Sequence, residues 1–311
     1  MKKVLLAGAA TLALTMGAAV AHAQDVTTGY VGVNYSDLDG ATLIDVQGTV
    51  SFDVSENWEL QADGQIGSLN PDGAGSSETI WGPTGHLFWD KDNFKAGVFV
   101  GYQDLGDTLS SGTTIFGYGV EGRWAASDAV SIGALAGWGT INLDGAPDMD
   151  LTAYKADISI FSSDNLRWDA SVTRTSLDWG PFSGDSTIWG VGAEWQLSDR
   201  PISFTFGYSS ASTDLSGASN ATTWSLGVRH TIGGSLKDRD RTSSPFLGLP
   251  FAFGGIDGIF GALGSSLQDL VDCFDEDQSC PSNTAINAWE DGFDGDFNEE
   301  DLFCFLGSCN D

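Results

Sequence analysis

Polar and apolar residues alternate along most of the chain between residue 25 and residue 232. In the segment TLIDVQGTVSF, Ile44, Val46, Val50 and Phe52 fall on one face of an extended chain, and the opposite face carries mainly polar side chains. Successive side chains of a strand point to opposite faces, so this period of two predicts a β-strand. The pattern recurs often enough to predict twelve strands arranged as six hairpins.

One short phrase recurs at a nearly constant interval. Its copies are FDVSENW (52–58), FWDKDNF (88–94), WAASDAV (124–130), FSSDNLRW (161–168) and WQLSDRPISF (195–204). Aligned on the acidic residues Glu56, Asp92, Asp128, Asp164 and Asp199, the copies are 36, 36, 36 and 35 residues apart. Each copy predicts a short turn, whereas most of the other connections, such as DWGPFSGDS (178–186), are longer and rich in Gly, Ser and Asp. Short turns at one end and long loops at the other are typical of transmembrane β-barrels.

Aromatic residues mark both ends of the predicted strands. One set flanks the short turns: Phe52, Trp58, Trp89, Phe94, Trp124, Trp168, Trp195 and Phe204. A second set lies at the opposite strand ends: Tyr35, Trp81, Tyr102, Phe116, Trp138, Tyr154, Trp189, Tyr208 and Trp224. Two aromatic belts on either side of an apolar band indicate two membrane–water interfaces, which a soluble β-sandwich does not explain. We therefore expect an all-β fold, a 12-stranded antiparallel up-and-down transmembrane barrel, over residues 24–233.

The two ends of the chain lie outside this pattern. Residues 1–23 have a basic start, an apolar run and the sequence AHA, which predict a signal peptide that ends before Gln24. Residues 234–244 are expected to form a polar linker, and residues 245–311 an acidic, mostly helical or irregular periplasmic appendage. The appendage holds all four cysteines, Cys273, Cys280, Cys304 and Cys309, which in an exported chain indicate disulfides. Three pairings are possible; we favour the local one, and the spacing argues against zinc. DGDFN (294–298) resembles the start of an EF-hand loop, but Glu299 and Phe305 replace required residues, so we expect no metal there.

The formal net charge of the chain is −30. Binding to phosphate groups requires basic patches, so the charge argues against nucleic acid as a partner. No segment predicts a cofactor. The motif GYGVEG (117–122) matches a dinucleotide-binding pattern, but it lies within a predicted strand with no helix after it.

The predicted barrel resembles the porin-like outer-membrane β-barrels of Gram-negative bacteria over residues 24–234. Its last strand, SLGVRHTI (225–232), is similar to the final strand that the barrel-assembly machinery recognises in such proteins, although His230 replaces an aromatic residue and 79 residues follow. The resemblance implies the Gram-negative cell outer membrane as the location, with outer-membrane lipids and lipopolysaccharide as surroundings. It implies little about a particular solute.

Strand parity assigns a polar set of side chains to the barrel interior. The predicted pore-lining residues are Asp45, Glu59, Asp63, His86, Lys95, Glu121, Arg123, Lys155, Asp157, Arg167, Asp169, Glu194 and Arg229. Ionisable groups at membrane depth must pair or contact water, so this set is compatible with an aqueous path or with a salt-bridge network that closes the lumen. Many other inward positions are Gly or Ser, which we expect to leave room for water.

The sequence therefore favours passive diffusion of small polar solutes and ions. The long loops are acidic, which predicts a preference for cations. The alternative is a structural or surface-interaction barrel with a closed lumen. An outer-membrane lipid hydrolase fits less well, because His86 and His230 lie toward the short-turn end, where no lipid substrate of that class is expected. We predict no catalytic residues.

Overall fold

The computed structural model describes residues 26–71, 77–106, 112–142, 148–179, 182–213 and 221–242. They form twelve strands and one helix. The elements are β1 (Val26–Leu38), β2 (Ala41–Ser55), β3 (Trp58–Pro71), β4 (Glu78–Lys91), β5 (Phe94–Asp104), β6 (Thr114–Ser127), β7 (Val130–Asn142), β8 (Met149–Ser163), β9 (Leu166–Trp179), β10 (Phe182–Gln196), β11 (Ile202–Thr213), β12 (Ala221–Ile232) and α1 (Leu236–Thr242).

The strands form one closed antiparallel barrel in which each strand pairs with its neighbours in the sequence. The first and last strands close it: β1 pairs with β12 from Gly29 opposite Ile232 to Leu38 opposite Thr223. Closure leaves no strand with an unpaired edge, which suits a structure that spans a membrane. The predicted 12-stranded up-and-down barrel is confirmed.

The recurring phrase forms tight turns at one end of the barrel, which we call the turn end; the opposite end is the loop end. Four of the five turns have two residues between strands, beginning at Glu56, Asp92, Asp128 and Asp164. The hydroxyl oxygen of Ser127 accepts a hydrogen bond from the backbone N–H of Ala129 at 3.3 Å, and Ser163 does the same one repeat later. A serine that bonds the backbone two residues ahead stabilises such a turn, so the repeat encodes a local structure.

The outer wall carries the aromatic residues in two belts. At the turn end Trp58, Trp124, Trp168 and Trp195 are exposed, and at the loop end Trp81, Tyr154, Trp189 and Trp224 are exposed. Between the belts the outward residues are aliphatic, for example Val98, Val120 and Leu226, each about half exposed. An apolar band of this kind, bordered by aromatic belts, is the surface that a bilayer covers.

Two predicted connections differ from the structure. The loop expected at residues 178–186 is largely strand, because β9 continues to Trp179 and β10 begins at Phe182, with Ser176 paired to Asp185. The hydroxyl of Ser176 donates to the Asp185 carboxylate at 2.5 Å, and Arg174 binds the same carboxylate at 2.6 Å, which stabilises the hairpin beyond the aromatic belt. The segment expected to be a linker contains helix α1. The predicted signal peptide and the four cysteines lie outside the described residues.

Among the described helices, none has the length and apolar character needed to cross a membrane.

Candidate functional site: the barrel lumen

All thirteen predicted inward residues lie on the inner face of the barrel. Eight of them are buried: Asp45, Glu59, Asp63, His86, Lys95, Glu121, Arg123 and Glu194. The other five line a cavity in the lumen: Lys155, Asp157, Arg167, Asp169 and Arg229. Strand parity therefore predicted the facing of every one of these side chains.

Side chains fill the lumen beside β3 to β6. Glu59 on β3 forms an ion pair with Lys95 on β5. His86 on β4 lies between two carboxylates, with Nε2 2.7 Å from Asp63 Oδ2 and Nδ1 2.6 Å from Glu121 Oε1. Because these groups are buried, the mutual pairing offsets their loss of hydration. This side of the lumen is a packed polar core.

Two inward glycines in this region make room for aromatic rings. A Cβ atom added at Gly97 would lie 2.5 Å from Phe88, and one added at Gly119 would lie 2.5 Å from Phe99. The ring of His86 stacks on that of Phe88 with centroids 5.8 Å apart and an interplanar angle of 11°. The prediction that inward glycines leave room for water is therefore wrong at these two positions, because their neighbours occupy the space.

Aliphatic side chains fill part of the loop end of the lumen. The cluster consists of Leu69, Ile80, Leu105, Ile115, Ile141, Met149 and Leu151, all at most 2% exposed. They lie near the loop-end termini of β3, β4, β6, β7 and β8 and in the segment after β5. Their burial removes apolar surface from water and stabilises this part of the barrel. None of these seven residues was among the inward side chains predicted from the sequence.

The opposite side of the lumen contains a cavity of about 350 Å³, which we call the lumenal cavity. Its walls come from β1, β2, β3 and β8 to β12. The lining includes charged and hydroxyl groups, among them Asp45, Lys155, Asp169 and Ser225, together with apolar side chains such as Leu43 and Ile188. Gly190 and Gly192 also line it, and here the expectation that small inward residues leave space agrees with the structure.

Glu194 is the centre of an arginine cluster near the turn end. One carboxylate oxygen, Oε2, is 3.0 Å from Arg229 Nη1 and 3.4 Å from Arg167 Nη2. The other, Oε1, accepts hydrogen bonds from Ser203 Oγ at 2.6 Å and from Arg239 Nη2 at 3.0 Å. Three guanidinium groups thus share one carboxylate that is 2% exposed. Arg239 comes from α1.

Helix α1 begins with a reciprocal cap. Ser235 Oγ accepts the backbone N–H of Asp238 at 3.2 Å, and the Asp238 carboxylate accepts the backbone N–H of Ser235 at 2.9 Å. The Ser235 hydroxyl also donates to this carboxylate, and these hydrogen bonds hold the pKa of Asp238 below its ordinary value. Gly233 and Gly234 adopt left-handed backbone conformations, with φ of 79° and 67°, which reverse the chain after β12. The cap and the reversal explain why a strongly polar segment forms a helix here.

Helix α1 crosses the turn end of the lumen. Leu236 is fully buried, Arg239 binds Glu194 on β10, and Asp240 binds Arg123 on β6. The Asp240 carboxylate also accepts a hydrogen bond from Ser131 Oγ on β7 at 2.6 Å. The helix therefore connects β10 with β6, which are four strands apart in the barrel. The ion pairs within the wall span less: they join adjacent strands or strands two apart. His86 links Asp63 and Glu121, which lie on strands three apart.

A second cavity, of about 420 Å³, lies beside α1 at the turn end. We call it the turn-end cavity. Its lining includes Asp90, Lys95, Arg123, Asp240 and Arg241. The helix thus leaves space between itself and the hairpins β4–β5 and β6–β7.

No group of three or more His, Cys, Asp or Glu residues in the described part of the chain is arranged to hold a metal ion.

These features define a closed 12-stranded barrel of the outer-membrane type, with a partly filled lumen and a short helix across one end. The chain is similar in structure to an outer-membrane channel from Pseudomonas putida F1, at a TM-score of 0.51 and 10% identity, over 67% of this chain and 96% of that one. It also matches the NanC porin, at a TM-score of 0.49 and 11% identity, over 65% of this chain and 100% of that one.

The KdgM porin, solved in complex with disordered oligogalacturonate, matches at a TM-score of 0.42 and 9% identity, over 65% of this chain and 99% of that one. No protein-family model matches the sequence, and no curated protein matches it. The predicted resemblance to porin-like outer-membrane barrels is confirmed at the level of the fold.

Proposed function

We propose that this protein is an outer-membrane, porin-like channel through which small polar solutes and ions diffuse passively, with a preference for cations. The observation that carries the proposal is the lumenal cavity of about 350 Å³, whose lining includes many polar and charged side chains. Polar groups that line a cavity at membrane depth are stabilised by water, and water is the medium that such solutes need. Nine of the thirteen predicted inward residues line one of the two cavities and are proposed to line the path, whereas Glu59, Asp63, His86 and Glu121 belong to the packed polar core.

The charge of the loop end supports the cation preference. The described loop-end segments carry the acids Asp37, Asp39, Glu78, Asp104, Asp148, Asp150, Asp178 and Asp185. Arg174 is the one basic residue in the same described segments, and it pairs with Asp185 at 2.6 Å. A mouth with this excess of acids raises the local concentration of cations and lowers that of anions.

The runner-up is a structural or surface-interaction barrel with a closed lumen. The aliphatic cluster and α1 favour it, because each occupies part of the cross-section.

In either case we propose the Gram-negative cell outer membrane as the location, with lipopolysaccharide outside. We also propose that the turn end and the chain after α1 face the periplasm. We also propose that the chain is not an enzyme, because His86 is enclosed by two carboxylates and two phenylalanine rings.

Planar-bilayer recording tests the proposal. The chain that begins at Gln24 is refolded, its heat-dependent electrophoretic mobility confirms the barrel, and currents are recorded under a KCl gradient with and without residues 234–311. We expect stepwise currents with a cation-selective reversal potential from the full chain, and larger currents after truncation. Currents only after truncation would favour the closed barrel with α1 as its plug. Silent bilayers from both folded proteins would refute the channel.

A further inference from the structure

Arg123 lies between the two cavities. Its side chain lines the turn-end cavity, and it is 5% exposed. Two of its partners line the lumenal cavity: Nη1 donates to Asp157 Oδ2 at 2.9 Å, and Nη2 donates to Ser159 Oγ at 2.8 Å. The two cavities have no lining residue in common, so this guanidinium and its partners form the wall between them.

The third partner of Arg123 comes from α1. Nη2 of Arg123 donates to Asp240 Oδ1, and Asp240 lines the turn-end cavity. The wall between the cavities is therefore built from the barrel and from the helix together. A planar guanidinium with its fixed fork of donors holds several oxygens at once, which a lysine side chain cannot reproduce.

The arrangement leaves hydrogen-bonding capacity unused at this point. Asp157 Oδ1 and Arg123 Nε are buried and have no hydrogen-bonding partner in the protein. A carboxylate oxygen without a donor leaves part of the Asp157 charge uncompensated, and because Asp157 lines the lumenal cavity this charge favours a cation there. Asp169 accepts a hydrogen bond from Ser159 Oγ at 2.6 Å and is paired with Arg167 at 3.0 Å, so its own charge is largely compensated.

We propose that Arg123 is the selectivity-determining residue of the pathway, and that Asp240 of α1 is its counter-charge. The inference rests on the proposed channel function and assigns the charged point between its two cavities. Ions that move between the lumenal cavity and the turn-end cavity pass this guanidinium. With Asp157 and Asp240 in place, the two carboxylates exceed its single positive charge, and small cations pass in preference to anions.

The decisive variant is Asp240→Asn in the full chain. An asparagine oxygen still accepts from Arg123 and its amide still donates to Ser131. The ion pair of Arg239 with Glu194 and the buried Leu236 continue to anchor the helix while one negative charge is removed. We expect the reversal potential under a KCl gradient to shift toward the chloride equilibrium potential. Asp199→Asn is the matched control, because it removes the same charge from an exposed turn-end position outside α1.

Recording at two salt concentrations distinguishes the effect of the buried carboxylate from that of the exposed one. The Debye length is about 10 Å at 0.1 M salt and about 3 Å at 1 M. We expect the shift caused by Asp240→Asn to persist at 1 M, because the carboxylate is 5% exposed, and any effect of Asp199→Asn to disappear. Equal shifts from the two variants at both salt concentrations would overturn the inference.

Substitution of Arg123 gives the second measurement. We expect Arg123→Gln to raise single-channel conductance and cation preference several-fold, and Arg123→Lys to keep the charge but raise conductance because the fork is lost. Arg174→Gln, which removes an exposed positive charge at the loop end, is the control. If currents are present but neither Arg123 variant changes the conductance or the reversal potential, the selectivity role of Arg123 is refuted and the channel function is not. Silence from every folded protein would refute the channel function itself, and this inference with it.

Discussion

The strongest energetic prediction concerns Glu194, the carboxylate that three arginines share. Glu194→Gln keeps the size and shape of the side chain and removes its charge. Oε1 accepts from Ser203 at 2.6 Å and from Arg239 at 3.0 Å, and Oε2 accepts from Arg229 at 3.0 Å. A glutamine presents only one acceptor oxygen, and its NH₂ group faces donors at the other position.

The magnitude follows from these contacts. Whichever way the amide is oriented, the interactions of one oxygen are lost, and the remaining ones no longer involve a charged acceptor. Two hydrogen bonds to a charged group contribute about 1.5–3 kcal/mol each. Removing one partner of a buried ion pair costs about 3–5 kcal/mol in other proteins. We therefore expect Glu194→Gln to lower the free energy of unfolding by about 3–5 kcal/mol.

Denaturant titration of the barrel in lipid vesicles, followed by tryptophan fluorescence, measures this difference. The control is Asp185→Asn, which removes a carboxylate from the exposed pair with Arg174, where the side chains are 55% and 36% exposed. Exposed pairs contribute about 0–1 kcal/mol, so the control should remain close to wild type. If the two variants lower the free energy of unfolding by the same amount, the reasoning about the buried cluster is wrong.

Three further predictions address other parts of the molecule. Gly119→Ala should destabilise the barrel by about 1–3 kcal/mol by forcing the new methyl group against Phe99, as measured by the same titration, whereas Gly85→Ala, which has open space at its Cβ, should not. The cap of α1 should weaken on acidification: the pKa of Asp238 is lowered in the folded protein, so its stabilisation is present above the ordinary aspartate value of about 3.9 and is lost as pH falls below it. Hydrogen exchange of residues 236–242 should report this loss, and Ser235→Ala should reduce the pH dependence, because only the side-chain hydrogen bond is removed and the backbone N–H of residue 235 still donates to Asp238. Lipids brominated near the headgroup should quench the tryptophans of both belts more than lipids brominated at the chain ends, and the opposite ranking would contradict the position assigned to the membrane.

The barrel itself was predictable from the sequence because its signals are local. The alternation that places Asp45 and Gln47 opposite Ile44 and Val46 depends only on the geometry of a single strand. The turns were predictable because the recurring phrase places turn-forming residues at a fixed interval, and in two copies Ser127 and Ser163 bond the backbone of their own turns. The connection over residues 178–186 is a counterexample, because its Gly, Ser and Asp content predicted a long loop, whereas β9 continues to Trp179 and β10 begins at Phe182.

The contents of the lumen were less predictable because they depend on contacts between distant residues. Arg123 and Asp240 are 117 positions apart, and their contact requires both the closed barrel and the docked helix. The capping pattern that starts at Ser235 was a usable signal for α1, but the helix has only Leu236 as an apolar residue, so hydrophobic periodicity did not reveal it. Likewise, Gly97 gives no indication by itself that Phe88 will occupy the space it leaves.

The seam between β1 and β12 has a consequence for what keeps α1 in its place. The reversal at Gly233 and Gly234 follows directly after Ile232, the last seam residue, so the seam sets the direction in which α1 leaves the wall. Arg239 and Asp240 bind partners on β10 and β6, whose separation the closed ring fixes. The ion pairs of α1 therefore depend on the closed barrel, and a change that opens the seam is expected to release the helix as well.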